Sequence, residues 1–297
     1  MNLLHKVEEA MMQYGGSSRR SIGDFILKEK NDLHKYSLQE IAGQTYTSKA
    51  AVVRFAQALG FSGWKEFVKA FTEEQSYQAQ HYSNIDANFP FTKDSRRKDI
   101  INQLCSLQVE SLLDTADLLN EAPLDECAAL LLGSRRVAMF GLNPNFALAE
   151  LFKRKMLSIG RQVELPSQGD VGLLAHSLDK YDCAVIISYS GNSPTTDALS
   201  VLPTLKQRNV PIIGITSVGD NLLRQKADYT LSISSYERLY SKISTFGTEN
   251  SILFILNVLF SICFAADYDA NLERKIGTAR ELESTRRVTN EQALKET

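Results

Sequence analysis

The residues best suited to hold a ligand lie in the sequence SYSGNSPT, residues 188–195. The hydroxyls of Ser190 and Ser193 can donate hydrogen bonds, and Gly191 lets the backbone approach a ligand closely. An almost wholly apolar strand is predicted directly before this loop, and a helix after it, with Pro194 suited to the first turn. Backbone N–H groups and the helix dipole at such a junction attract anions, so the pattern indicates phosphate binding.

A simpler interpretation of this loop is a polar turn in which Ser193 caps the following helix. Loops rich in serine are common, and the pattern alone favours that simpler interpretation. The position favours binding, because open α/β sheets bind ligands beyond the carboxyl ends of their parallel strands. The loop therefore stays a candidate site at this point.

A second group of residues suggests DNA binding, in the sequence SLQEIAGQTYTSKAAVVRFAQALG that begins at Ser37. Ser37 and Glu40 form a capping-box pair, which predicts the start of a short helix. A turn is predicted at 44–47, and Ser48 is suited to cap a second helix over 49–59. The sequence therefore predicts two short helices joined by a tight turn.

On the second of these helices Val52 and Phe55 lie on the buried side. The residues left on the other faces, which we take as candidate DNA contacts, are Ser48, Lys49, Val53 and Arg54. A second helix that presents small, polar and basic groups has the geometry that enters a major groove. A helical hairpin with a solvated face fits the periodicity equally well. Residues 48–69 carry four basic residues and one acidic residue, an excess that fits phosphate contacts.

The elements that must position these two groups divide the chain into four predicted parts. These are a helical DNA-binding domain at 1–75, a polar linker at 76–98, an α/β domain with preceding helices at 99–270, and a charged helical tail at 271–297. Within the third part, short apolar segments alternate with helical segments. The predicted strands cover residues 136–141, 161–165, 183–188, 211–216 and 229–233. Such alternation predicts a parallel five-stranded sheet with helices on both faces.

The composition limits the classes of protein to consider. The 297 residues suggest about two domains, and 33 basic against 35 acidic residues leave a net charge of −2, so any basic face must be local. The four cysteines are scattered, with no histidine at metal-ligand spacing, which argues against a zinc site or a disulfide framework. The apolar run at 252–266 is shorter than the roughly 18–20 residues that span a bilayer. We expect a cytoplasmic protein in which this run is a buried core helix.

The N-terminal region resembles a known family. The sequences SIGDFIL, SLQEIAGQ and SKAAVVRFAQALGFSGWKEF are similar to the N-terminal domain of the RpiR-type bacterial transcription regulators. The resemblance implies that residues 48–59 are the recognition helix and that operator DNA is a partner. Two positions depart from the family pattern, since Tyr46 stands where the turn usually has a glycine and Thr47 where an apolar residue is common.

The C-terminal region resembles the SIS (sugar isomerase) domain over residues 125–266, through SYSGNSPTTDAL and KQRNVPIIGITSVGDNLLRQKADYTL. This resemblance implies a flavodoxin-like fold and a phosphosugar ligand. The usual first loop of the domain, G-x-G-x-S, is GLNPN here, so two asparagines replace a glycine and a serine. The implied phosphosugar-binding residues are Gly141, Asn143, Asn145, Ser188, Ser190, Gly191, Asn192 and Ser193.

Together the two resemblances predict a transcription regulator whose operator affinity depends on a bound sugar phosphate. We expect a homodimer or homotetramer with no cofactor, no metal, no membrane partner and no catalytic residues.

Two alternatives stay open. The first is an aldose–ketose isomerase, for which Glu249 and His176 are the candidate acid–base residues. The second is a DNA-binding protein whose SIS domain only oligomerises, through the apolar C-terminal helix and the helical segment near 99–120. The altered first loop favours the second of these.

Overall fold

The structure is a computed structural model that describes residues 3, 7, 10, 11, 17–30, 32–81, 85–167, 169–195, 197–234 and 236–282. Most of the predicted charged tail at 271–297 therefore lies outside the described residues. The chain forms two compact units. The first contains residues 1–118, 218–220 and 234–247, and the second contains residues 119–217, 221–233 and those from 248 onward.

The first unit is helical. Its helices are α1 (Ser17–Lys28), α2 (Leu38–Gln44), α3 (Lys49–Ala58), α4 (Trp64–His81) and α5 (Arg97–Leu118), with a 3-10 turn at Leu33–Lys35. The core of α1 to α4 is built from large apolar side chains that recur at helical spacing, among them Ile22, Ile26, Phe55, Phe67 and Phe71. Helix α4 continues to His81, so the beginning of the predicted linker is helical.

Segments remote in sequence complete the first unit. The Asn88 side chain accepts a hydrogen bond from the Arg238 N–H at 2.6 Å, and its carbonyl accepts one from the Ile243 N–H at 2.9 Å. On α5, the Ser111 hydroxyl donates to the Gly247 carbonyl at 2.8 Å. These bonds tie segment 234–247 to residues of the N-terminal half of the chain.

The second unit contains the predicted sheet. Its strands are β1 (Val137–Gly141), β2 (Val163–Glu164), β3 (Cys183–Ile187), β4 (Ile212–Ser217) and β5 (Tyr229–Ile233). All neighbouring strands are parallel, in the order β2-β1-β3-β4-β5. This is the flavodoxin-like order, so the predicted five-stranded parallel sheet is confirmed.

Helices cover both faces of the sheet, as predicted. One face packs against α6 (Glu121–Gly133), α7 (Asn145–Ser158) and α12 (Phe246–Ala265), and the other against α8 (Val171–Ser177), α9 (Asp197–Ser200), α10 (Leu202–Gln207) and α11 (Leu222–Lys226). In β1, Val137 and Met139 face the first layer, while Ala138 and Phe140 face the second. A strand buried on both faces needs such a continuous apolar run. Helix α13 (Tyr268–Leu282) follows.

One predicted helix is divided in two. The periodicity predicts a continuous helix from Thr195 to Arg208, whereas the structure has α9 and α10, separated at Val201. Pro203 lies in the first turn of α10. Proline has no N–H for an intrahelical bond and its ring clashes with the preceding turn, so it is tolerated where a helix begins but not inside one.

Helix α12 is longer than the apolar run from which it was predicted. It has 20 residues, and among the described residues it is the one helix long and apolar enough, by length and composition, to cross a membrane. Its side chains Ile252, Ile255, Leu256 and Leu259 are buried in the core beneath the sheet. One face of the helix is therefore buried in the core, and 39% of its apolar window is buried in all.

Candidate functional site

The two short helices of the first unit begin with the caps that the sequence predicts. The Ser37 hydroxyl accepts a hydrogen bond from the Glu40 N–H at 3.2 Å, and the Glu40 carboxylate accepts one from the Ser37 N–H at 2.7 Å. The Ser48 hydroxyl accepts from the Ala51 N–H at 3.1 Å at the start of α3. The turn between the helices closes by a bond from the Thr47 N–H to the Ala42 carbonyl, 2.9 Å long.

The predicted DNA contacts lie on α3 and its cap. Ser48, Lys49 and Arg54 are exposed. Val53 is half-buried and packs against the helical core, so less of its side chain is accessible than the periodicity predicts. The Lys49 ammonium donates to the Gln39 side-chain carbonyl at 3.0 Å, which links the first turns of α2 and α3.

The charge around α3 has one sign. Residues 41–65 include three basic residues and no acidic residue. The flanking carboxylates are held by helix-cap hydrogen bonds, because Glu40 accepts from Ser37 and Glu66 accepts from the Ser62 N–H at 2.8 Å. Hydrogen bonds from these serines lower the pKa of both glutamates. The surface of α3 therefore presents basic groups without a competing carboxylate in the same segment.

The structure brings the two predicted loops of the second unit together. Gly141 ends β1 and is paired in register with Ile187, the last residue of β3. The loops that follow these strands therefore leave the same edge of the sheet side by side. Strand order reverses at β1 and β3, and in open α/β sheets this switch point is where ligands bind.

Gly191 occupies a conformation that the loop after β3 requires. Its φ is +62°, in the left-handed region, and it is buried. A Cβ atom at this position would lie 2.3 Å from the Asn221 Oδ1 atom and 2.6 Å from the Thr216 Oγ1 atom. The Gly191 N–H donates to the Ser188 hydroxyl at 3.3 Å. The absence of a side chain is therefore needed for packing as well as for backbone geometry.

The loop is supported by a neighbour that the sequence pattern did not single out, the connection between β4 and α11. The Asn192 side-chain carbonyl accepts from the Leu222 N–H, and the Gly191 carbonyl accepts from the Leu223 N–H, both at 2.9 Å. The Asn221 amide donates to the Thr216 hydroxyl at 3.1 Å. Asn192, predicted as a ligand contact, thus also caps the first turn of α11.

The other predicted site residues lie at the same edge of the sheet. Ser188 and Ser190 are half-buried directly after β3, and Ser193 is half-buried at the end of the loop. In the loop after β1, Asn143 is exposed and Asn145 is the first residue of α7.

His176 does not join these loops. It lies near the end of α8, next to Ser177, whose carbonyl accepts a hydrogen bond from the Arg136 guanidinium. Because Arg136 directly precedes β1, this contact is at the amino edge of the sheet, opposite the loops. Glu249 lies in the first turn of α12 and is half-buried. His176 is therefore not placed to act as a base on a ligand at the carboxyl edge.

The amino edge holds an ion-pair cluster. The Asp182 side chain is fully buried and accepts hydrogen bonds from Arg135 and Arg136 at 3.0 Å each. Burial by itself raises the pKa of Asp182, but the two guanidinium groups and the Asp179 N–H lower it to about 2 overall. These bonds join the starts of β1 and β3, so the cluster holds the sheet together.

Three of the four cysteines, Cys127, Cys183 and Cys263, are buried free thiols. Burial raises the pKa of Cys127 to about 12 and that of Cys263 to about 11, and it also raises the pKa of Cys183. Thiols in that state are poor nucleophiles and metal ligands. The described residues contain no group of three or more His, Cys, Asp or Glu side chains arranged to hold a metal.

Two parts of this chain match known protein families. Residues 1–78 match the helix-turn-helix domain of the rpiR family, and residues 130–255 match the SIS domain. A protein of Haemophilus influenzae named as an HTH-type transcriptional regulator is 26% identical over 92% of this chain and 94% of its own length. A regulator of the same type from Clostridium perfringens is 22% identical over 94% of this chain and 98% of its own length.

Solved structures share the fold. The NanR protein of Vibrio vulnificus, solved in complex with ManNAc-6P, is 19% identical, covers 97% of this chain and 100% of its own, and has a TM-score of 0.59. The sugar isomerase domain of an RpiR transcription factor from Sphaerobacter thermophilus is 16% identical, covers 61% of this chain and 98% of its own, and has a TM-score of 0.53. The chain therefore joins a helix-turn-helix domain that matches the rpiR family to a domain that matches the SIS family.

Proposed function

We propose that this protein is a cytoplasmic regulator whose affinity for operator DNA changes when a sugar phosphate binds to its SIS domain. The observation that carries the proposal is the meeting of the loops after β1 and β3 at the switch point of the sheet. The same chain carries an exposed, basic helix in a helix-turn-helix domain. A ligand site and a DNA-reading helix in one chain are the two parts that an effector-controlled regulator needs.

The DNA-binding part of the proposal rests on α3. Ser48, Lys49 and Arg54 contact the groove and its phosphates, and the accessible part of Val53 contacts a base edge. One reading helix buries too little surface for a tight and specific complex, so the active form is a homodimer or homotetramer on paired half-sites. Sedimentation velocity at micromolar concentration tests the assembly, and a monomer that binds a single site tightly would contradict it.

The effector part rests on the loop after β3. Ser188, Ser190 and Ser193 supply hydroxyl donors, while Gly191 brings backbone N–H groups near the ligand. Gly141, Asn143 and Asn145 of the neighbouring loop and Asn192 complete the site. Inorganic anions would satisfy the same donors, but the sugar phosphate bound to the NanR protein supports a phosphosugar.

An isomerase is the weaker explanation of the same fold. Moving a proton between adjacent carbons of a sugar requires a base within hydrogen-bond reach of the substrate. His176 lies at the opposite edge of the sheet from the proposed site, and the relatives that match nearly the whole chain are named as regulators. Assays of each phosphosugar for turnover distinguish the two functions.

Calorimetric titration of the purified chain with a panel of phosphosugars, led by ManNAc-6P, tests the proposed site. We expect the double variant Ser190→Ala/Ser193→Ala to bind at least ten-fold more weakly than wild type. Each lost hydrogen bond to a charged group costs roughly 1.5–3 kcal/mol, and 1.4 kcal/mol corresponds to a factor of ten. Ser177→Ala, which removes an exposed hydroxyl at the other edge of the sheet, is the matched control.

Equal affinity in the double variant and wild type would show that the phosphate is held elsewhere. If no sugar phosphate in the panel binds to the wild-type protein, the alternative in which the SIS domain only oligomerises is favoured.

A further inference from the structure

The turn between α2 and α3 carries a tyrosine in an unfavourable position. Tyr46 has a φ of +52°, and its side chain is 97% exposed. Asn209 is the other non-glycine residue with positive φ in the described part of the chain. Asparagine adopts the left-handed region several-fold more often than other residues, whereas a bulky aromatic residue there is strained.

Neither the backbone nor the core explains the tyrosine. The turn is closed by main-chain bonds from the Tyr46 N–H to the Gly43 carbonyl at 3.2 Å and from the Thr47 N–H to the Ala42 carbonyl. A glycine would make the same bonds without the strain. The exposed ring also gains nothing from burial. The residue costs stability, which points to a contact outside the folded chain.

Its position in the turn identifies the chemistry of that contact. Tyr46 lies two residues before Ser48, the cap of α3, and the N-terminal end of a recognition helix is the part that reads base edges. The phosphates of the two strands border the groove on either side of such a helix. Tyrosine hydroxyls are among the groups that bind phosphate oxygens in protein–DNA complexes.

The charge of the segment is compatible with a phosphate beside this ring. No acidic residue occurs from residue 41 to residue 65, and Lys49 is exposed one helical position beyond the cap. We propose that Tyr46 positions α3 on DNA by donating its hydroxyl to a backbone phosphate at the edge of the groove. The inference rests on the proposed DNA-binding function and adds to it a contact outside the recognition helix.

The test uses the full chain and a DNA duplex that the wild-type protein selects from a random-sequence pool. Tyr46→Phe keeps the ring and the backbone strain but removes the hydroxyl, and Tyr46→Gly removes all three. We expect both variants to bind the duplex roughly ten- to hundred-fold more weakly, the range for one lost hydrogen bond to a charged group. We also expect Tyr46→Gly to raise the melting temperature.

Salt dependence separates this contact from a charged one. Because a neutral hydroxyl displaces no counterion, the slope of log affinity against log salt should stay at its wild-type value in both Tyr46 variants. In Lys49→Ala, the slope should fall by about one unit. The loss in the Tyr46 variants should be the same on selected and unrelated duplexes, since a phosphate contact carries no sequence information.

Several results would overturn the inference. Tyr46→Phe binding with wild-type affinity would exclude the hydroxyl contact, and a lower melting temperature in Tyr46→Gly would make the residue structural. If a Tyr46 variant binds DNA normally but has a changed sedimentation coefficient, Tyr46 belongs to an interface between protein chains. If Arg54→Ala and Lys49→Ala also bind DNA with wild-type affinity, α3 is not the recognition helix. If those two variants bind DNA weakly while the Tyr46 variants bind it normally, only the Tyr46 contact is contradicted.

Discussion

Gly191 shows how closely the residues at the proposed ligand site are fitted to one another. A Cβ at this position would lie 2.3 Å from the Asn221 Oδ1 atom, and the φ of +62° disfavours any L side chain. We expect Gly191→Ala to lower the free energy of unfolding by about 2–4 kcal/mol, through left-handed strain and overpacking together. Urea denaturation of the variant and of wild type measures the difference.

Gly172→Ala is the control for that measurement. Gly172 lies in α8, and a Cβ there would have no neighbour within 4 Å. Alanine in a helix is more favourable than glycine by up to about 1 kcal/mol, so this variant should be as stable as wild type or slightly more stable. Equal stability of Gly191→Ala and wild type would mean that the loop has a different conformation.

The exposed cations of α3 are placed to contact DNA under the proposed function. Arg54→Ala and Lys49→Ala should weaken binding to a selected duplex without lowering the melting temperature, because both side chains are exposed and clear of the helical core. A lost base contact should cost about 1–3 kcal/mol at one position of the duplex, and a lost phosphate contact should weaken binding to all sequences. Fluorescence anisotropy titrations over a salt series distinguish them.

Lys28→Ala removes an equal charge from an exposed site at the end of α1 and serves as the control. If the Arg54 and Lys49 variants bind DNA as tightly as this control, α3 is not the recognition helix.

The sequence predicts individual residues well where their partners are near in the chain. The caps formed by Ser37 with Glu40 and by Ser48 with Ala51 are confirmed, because a cap joins residues only three positions apart. The contacts of Gly191 with Thr216 and Asn221 were missed. Thr216 lies in β4 and Asn221 in the connection that follows it, and periodicity carries no information about which strands and loops will be neighbours.

At the scale of elements, strands buried on both faces are the easiest to predict. Each of β1, β3 and β4, in the interior of the sheet, coincides with an apolar run to within one or two residues. Of the two edge strands, β5 matches its predicted segment, whereas β2 contains only Val163–Glu164. The order of the strands could be expected only through the family resemblance. The break before Pro203 was missed because its flanking residues keep helical periodicity.

The ion pairs between the starts of β1 and β3 lead to a prediction about acid stability. The pKa of Asp182 in the folded protein is about 2, below its ordinary value of 3.8. The stability that the ionised Asp182 gives the folded protein is therefore present above pH 3.8 and is lost as the pH falls toward 2. Asp182→Asn should destabilise the protein by about 2–4 kcal/mol at pH 7, since two guanidinium groups lose their carboxylate. Urea denaturation at pH 7, 4 and 2.5 measures the change.

The difference in free energy of unfolding between Asp182→Asn and wild type should become steadily smaller below pH 4, because wild type loses the same interaction when Asp182 is protonated. Asp94→Asn, a change at an exposed carboxylate, is the control and should differ little from wild type at every pH. If the difference in free energy of unfolding between Asp182→Asn and wild type stays constant down to pH 2.5, the pKa of Asp182 is not lowered.

At the scale of the whole molecule, the division of the chain differs from a simple split at a linker. The predicted boundaries at 75 and 98 follow composition, but α5 and segments 218–220 and 234–247 belong to the compact unit that contains the DNA-binding helices. The segments follow β4 and β5, the strands that end at the proposed ligand edge. The chain itself therefore connects the proposed ligand edge to segments of the first unit.

The proposed coupling of ligand binding to DNA binding is measured by titration of a labelled, selected duplex at fixed salt, with and without a saturating phosphosugar that binds the protein. We expect saturating ligand to change the duplex affinity of wild type about 5- to 150-fold, the usual range of allosteric coupling. Ser190→Ala/Ser193→Ala should bind the duplex equally well without ligand, and should respond only at a ten- to hundred-fold higher ligand concentration. An unchanged duplex affinity of wild type at saturating ligand would contradict the proposed coupling. A response of the double variant at the wild-type ligand concentration would contradict the proposed ligand site.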